Sequence, residues 1–81
     1  MSPKTPRDVS GKRLIKVLSK YGYEIIRQSG SHIRISISNK DGIHNTTIPN
    51  HDSLRLGTLM SIINEVSDYL GIDKQEIISK L

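Results

Sequence analysis

Apolar residues recur along this chain with two different periods, and the changes of period mark the elements. Between Gly11 and Tyr21, residues Leu14, Val17, Leu18 and Tyr21 fall at i, i+3, i+4 and i+7. That spacing is one stripe of a helix, with Lys12, Arg13, Lys16 and Lys20 largely off it. Ser10 suits an N-cap and Gly22 the C-terminal stop. Tyr23 to Gln28 predicts a short strand. From Ser31 to Ser38 the alternation is strict, with Ile33, Ile35 and Ile37 at every second position, the mark of a half-buried strand. Asn39-Lys40-Asp41-Gly42 is turn chemistry. Ile43 to Ile48 predicts a third strand, closed by Pro49 and followed by a loop over Asn50 to Leu56. A second helix is expected after Gly57 with Thr58 as N-cap. Its apolar stripe is Leu59, Ile62, Ile63, Val66 and Leu70, and Gly71 ends it. Asp73 and Glu76 then form a capping-box pattern for a last short helix running through Leu81.

Each element has one convincing apolar face. A helix, three antiparallel strands and a helix, each apolar on one side, make a two-layer α+β sandwich with the helices on one face of the sheet. The other sheet face is then open and polar, and it carries His32, Arg34, Ser36 and Ser38.

Composition narrows the class. Eighty-one residues form one small domain. Residues 1–9, with Pro3 and Pro6, read as a flexible basic arm, and residues 10–81 as the domain. The core is built on thirteen Ile and seven Leu, with no Phe, Trp, Ala or Cys. Without cysteine there is neither a disulfide nor a thiolate metal site. No apolar run exceeds two residues, which leaves no membrane span or signal core and makes the cytoplasm the default location. The net charge of +4 is unevenly spread. Residues 1–40 hold nine Lys/Arg and two acidic residues, and residues 41–81 hold three and six. A basic half suits nucleic acid, though a lopsided solvated surface would look the same.

The candidate chemistry centres on Gln28-Ser29-Gly30-Ser31-His32-Ile33-Arg34. If Ser29-Gly30 is a two-residue turn, Arg27 pairs opposite His32 and Ile26 opposite Ile33. Two guanidiniums, Arg27 and Arg34, then flank one imidazole and favour its neutral, basic form. Histidine is suited to proton transfer and arginine to phosphate. The alternative is an exposed strand histidine with no role. His51, after the third strand, is a second candidate for acid–base or phosphate contact, or else a loop residue. His44 lies near the far end of the hairpin, away from this chemistry. The three histidines are spaced by twelve and seven residues, which matches no usual metal-ligand pattern, so neither metal nor cofactor is expected. Gly57-Thr58 offers a helix N-terminus for an anion, or ordinary capping. Lys12, Arg13, Lys16 and Lys20 could track a phosphate backbone, or simply form a solvated helix face.

An ordered set of short motifs resembles a known family. The motifs are Val9-Ser10-Gly11-Lys12, Gly22-Tyr23-Glu24, Arg27-Gln28-Ser29-Gly30-Ser31-His32, Thr47-Ile48-Pro49-Asn50-His51, and Leu56-Gly57-Thr58-Leu59 with Ile62. Together, over residues 9 to about 63, they are similar to the HicA toxins. The resemblance implies a double-stranded-RNA-binding-domain-like α-β-β-β-α fold. It also implies an mRNA interferase, the toxin of a type II toxin–antitoxin pair, neutralised by a HicB-type antitoxin. The family's catalytic histidine maps onto His32, with Ser31, Arg27, Arg34 and His51 as candidate support. Two departures stand out. Ile33 replaces a second histidine found in many members, and the segment after Ile63 is longer and ends in an acidic helix.

Three functions stay open at this level. One is a metal-independent endoribonuclease whose nucleophile is the RNA 2′-hydroxyl. The second is a non-catalytic RNA-binding module. The third is a purely protein-binding partner, motivated by the acidic C-terminal half. A toxin must be silenced, so the antitoxin is expected to cover the open sheet face around His32.

Overall fold

The computed structural model describes residues 6–81. The elements run α1 (Gly11–Ser19), β1 (Glu24–Ser29), β2 (His32–Asn39), β3 (Gly42–Pro49), α2 (Leu56–Leu70) and α3 (Lys74–Ile78). The strands form one antiparallel sheet in the order β1-β2-β3. The α+β two-layer arrangement expected from the alternating and helical periods is the one the chain adopts. No helix among the described residues is long and apolar enough to cross a membrane.

Alternation along β2 decides the layers. Ile33, Ile35 and Ile37 are buried, while His32, Arg34 and Ser38 are exposed and Ser36 is half-buried. The buried set packs with Leu14, Val17 and Leu18 of α1, Leu59, Ile62, Ile63 and Val66 of α2, and Ile77 and Ile78 of α3. Each such side chain taken from water contributes about 1.5–3 kcal/mol, so this isoleucine-rich layer is what holds the helices to the sheet.

Both ends of α1 follow from local chemistry. The Ser10 hydroxyl accepts from the Arg13 N–H at 3.0 Å, closing the N-terminus. Gly11 stands where no side chain fits, because a Cβ there would lie 2.1 Å from the Pro49 carbonyl oxygen. Its N–H donates to the His51 carbonyl at 3.0 Å, which ties the start of α1 to the end of β3.

Three expectations need correction. The β1–β2 turn falls one residue later than Ser29-Gly30. Ser29 pairs with His32, Gln28 with Ile33 and Arg27 with Arg34, so Arg27 does not face His32 and Ile26 does not face Ile33. Of the two favoured two-residue turns, type II′ has glycine at its first central position, and Gly30, at φ 58°, takes that place with Ser31 second. A β-bulge between Ile25 and Arg27 absorbs Ile26 and restores the pairing toward Glu24.

The second correction concerns α2, which begins at Leu56 rather than after Thr58. Its N-cap is Arg55, and no side chain caps it. Leu54 is buried and its N–H donates to the Val9 carbonyl at 2.8 Å, so the chain is anchored just before the helix and turns helical at once. Gly57 and Thr58 therefore sit inside the first turn. Third, the capping box of α3 is half formed. Asp73 accepts from the Gln75 N–H, but the Glu76 carboxylate takes the Tyr21 hydroxyl instead, at 2.8 Å. The helix itself ends at Ile78, short of Leu81. Just before α1, Val9 is a core residue and Pro6 is buried. The rest of the expected arm, residues 1–5, lies outside the described residues.

Candidate functional site

Strand β2 starts at His32, on the sheet face away from the helices. Its directly paired neighbours there are Ser29 on β1 and Pro49 on β3. Two residues on, Arg34 is exposed on the same face, opposite Arg27 on one side and Thr47 on the other. Antiparallel partners share a face, so His32, Arg34 and Arg27 form one patch. The Arg34 guanidinium approaches the Thr47 hydroxyl at 3.5 Å, and no carboxylate pairs with either arginine among the described residues. The patch presents one imidazole and two free guanidiniums on an open surface, a set suited to an anion.

The turn beneath His32 is held in place. The Asn50 N–H donates to the Ser31 carbonyl at 2.6 Å, so the Gly30-Ser31 turn is stapled to the loop after β3. That loop also carries His51. The His51 carbonyl is engaged with Gly11 while its side chain is exposed. The tertiary structure thus gathers His32, Ser31, His51 and the starts of α1 and α2 at one end of the sheet. No hydrogen bond joins His32 to His51 among the described residues.

The expected basic residues divide. Lys12 and Lys16 on α1 and Lys20 at its C-cap recur every four residues and are exposed. None of the three is in an ion pair among the described residues. The first turn of α1 holds no acid, so the positive end of the helix dipole adds to Lys12. Arg13 is turned elsewhere, donating to the Lys80 carbonyl at 2.8 Å and fastening the C-terminal segment to α1. Gly57 and Thr58 are exposed in the first turn of α2. Among the described residues no group of three His, Cys, Asp or Glu side chains is arranged to hold a metal ion.

His44 has a structural role. It points from β3 into the helix layer, in step with Thr46 and Ile48. Its Nε2 lies 2.8 Å from the Glu65 carboxylate and its Nδ1 2.7 Å from the Tyr23 hydroxyl. A carboxylate only accepts, so Nε2 donates to Glu65, while Nδ1 and the Tyr23 hydroxyl are hydrogen-bond partners. The ring stacks on Tyr69 with centroids 5.0 Å apart. The Tyr69 hydroxyl in turn lies within bonding distance of Asn39 Oδ1 and the Gly42 carbonyl, at 2.9 and 2.6 Å. Burial, reinforced by Tyr69 and Glu65, pushes the Tyr23 hydroxyl up to about 12. Tyr23 is 3% exposed, and this hydroxyl–imidazole–carboxylate line joins β3 to α2. Period-two spacing with Thr46 and Ile48 already signalled its inward orientation.

Fold and site together define a small two-layer α+β protein with an open sheet face that displays a histidine and two arginines. A family model described as the HicA toxin of bacterial toxin–antitoxin matches residues 11–67, from the first residue of α1 into the last turns of α2. The chain belongs to the HicA toxin family. It is accordingly the toxin member of a toxin–antitoxin system, with a cognate antitoxin as its partner. No curated protein and no solved structure matches the chain significantly.

Proposed function

We propose that this toxin is an endoribonuclease that cleaves mRNA with His32 as its catalytic residue. The observation that carries this reading is the placement of His32, exposed at the start of β2, on the same open face as Arg34 and Arg27. RNA supplies its own nucleophile, the 2′-hydroxyl. Its oxygen forms a bond to the adjacent phosphorus, the bond to the 5′-oxygen breaks, and a 2′,3′-cyclic phosphate remains. One proton leaves the 2′-hydroxyl and one arrives at the 5′-oxygen, and His32 moves one of these. A positioned histidine speeds such a step by about 10²–10⁴-fold. Arg27 and Arg34 stabilise the charge that builds on the phosphoryl oxygens. Ser31 and His51, at the same end of the sheet, support the bound phosphate. No step requires a metal.

A HicB-type antitoxin neutralises the toxin by covering the face that holds His32. Expression of the chain alone is expected to arrest growth and degrade mRNA, in the cytoplasm where message is translated. His32→Ala is expected to abolish both while the protein stays folded. Cleavage of purified RNA should persist in EDTA and leave cyclic phosphate ends. Full toxicity in a folded His32→Ala variant would overturn the assignment. RNA binding without any cleavage would instead identify a non-catalytic RNA-binding module.

A further inference from the structure

Strand β1 is an edge strand, and all six of its residues are exposed. On the helix side of the sheet, a groove of about 420 Å³ runs between this edge and α1. Its apolar wall is Ile15, Ile25 and Ile33, and its polar rim is Lys12, Lys16, Gln28 and Asn50. That volume lies at the small end of ligand sites, roughly 300–1,000 Å³.

We infer that this groove is a nucleotide subsite that takes a base of the RNA substrate beside the one being cleaved. The inference rests on the ribonuclease reading above. Ile15 and Ile25 offer an apolar surface on which a base lies flat. The side-chain amides of Gln28 and Asn50 make no hydrogen bond to the protein among the described residues, and each can donate and accept. They match a base edge, which also presents both kinds of group. Lys12 and Lys16, one turn apart and in no ion pair among the described residues, meet the phosphates. The two amides could also bond a peptide backbone, but the groove adjoins the His32 face through the consecutive residues Arg27 and Gln28, so RNA is the favoured occupant.

The groove and the His32 patch are joined by consecutive residues. Arg27 pairs with Arg34 on the open face, while Gln28 pairs with Ile33 on the helix face. An RNA strand crossing the β1 edge therefore meets an arginine for its phosphate and an amide for its base in one step along the protein. Asn50, on the other rim, is bonded through its backbone to Ser31, immediately before His32. The base that occupies the groove thereby sets which phosphate reaches His32.

The test compares short single-stranded RNAs of each base on three proteins: the parent, Lys12→Gln with Lys16→Gln, and Gln28→Ala with Asn50→Ala. Binding is read in the His32→Ala background, and cleavage in the otherwise native chain. The lysine pair is expected to lose about tenfold in affinity on every sequence and to flatten the salt dependence, by roughly 0.7 in log–log slope per lost phosphate contact. The amide pair is expected to keep the salt slope, raise KM more than it lowers kcat, and level the base preference. Circular dichroism checks that the variants remain folded. Groove variants that bind, cleave and rank RNAs like the parent would overturn the subsite. So would variants that change only neutralisation by the antitoxin, which would give the groove to the protein partner. A parent that does not cleave RNA at all would overturn the ribonuclease reading itself.

Discussion

Arg27 and Arg34 stand directly opposite each other on neighbouring antiparallel strands, both exposed on the open sheet face. Like charges at opposed positions oppose folding, by roughly 0.2–1 kcal/mol per pair. A pair of this kind is expected where phosphate binding, rather than stability, sets the residue. Arg27→Thr should therefore raise the unfolding free energy by an amount on that scale, read as a higher urea midpoint, and slow RNA cleavage. The stability gain should shrink as salt screens the repulsion. Loss of stability together with unchanged cleavage would remove the functional explanation of the pair.

Gly11 is fixed by space. A Cβ there would sit 2.1 Å from the Pro49 carbonyl oxygen, and backbone on both sides would have to move. Gly11→Ala is expected to destabilise the protein by at least about 1–3 kcal/mol, the range for overpacking a tight site. The shift also loosens the joint between α1 and β3, and with it the loop bonded to Ser31. Denaturant unfolding measures the first effect, and amide exchange at Asn50 the second. An unchanged midpoint would mean that α1 docks without this contact.

The alkaline limb of stability should report Tyr23. Its hydroxyl is pushed from the usual 10 to about 12, first by burial and then by Tyr69 and Glu65. The neutral form is the one favoured on folding. That contribution is complete below about pH 10 and is lost as pH rises toward 12. Two units correspond to a loss on the order of 2 kcal/mol. Lys80 is also raised, chiefly by its hydrogen bond to Tyr21, so the comparison must be between the parent and Tyr23→Phe. The variant should show a flatter fall between pH 10 and 12. Parallel curves would count against a buried, protonated Tyr23.

The Tyr23–His44 contact should behave as a coupled pair. His44→Phe keeps a ring against Tyr69 but leaves the buried Tyr23 hydroxyl without its hydrogen-bond partner, a loss of about 1–3 kcal/mol. Adding Tyr23→Phe removes the stranded hydroxyl, so the double variant should be more stable than the sum of the single effects predicts. Additive effects would show that the 2.7 Å contact carries no coupling. RNA cleavage should be nearly unaffected, because His44 faces the helix layer rather than the open face.

Much of the architecture was legible from short-range pattern. Strict alternation over β2 fixes which face is buried, since a strand has a period of two and a one-residue slip would put Ile33, Ile35 and Ile37 in water. The stripe Leu14, Val17, Leu18 similarly defines the buried side of α1. Those two facts expose His32 and Arg34 together and make the open face a candidate site. The ordered motifs from Val9 to Ile62 point to the same family that the match over residues 11–67 shows.

What the sequence could not decide depends on contacts distant in the chain or on a single residue of register. The partner of Arg27 turned on whether Gly30 was first or second in its turn, and on a bulge at Ile26 that its neighbour Ile25 obscures. The start of α2 was set by the bond from Leu54 to Val9, forty-five residues apart. Glu76 looked like a capping residue because its spacing from Asp73 is local, yet Tyr21, across the fold, holds it. The groove beside β1 has no sequence signature, since Lys12, Ile25, Gln28 and Asn50 meet only after the strands pair and α1 docks. Periodicity determined the faces of this protein, because side-chain direction is a property of the local backbone. Which residues share a site was decided by the tertiary structure, because that depends on register and on the packing of one element against another.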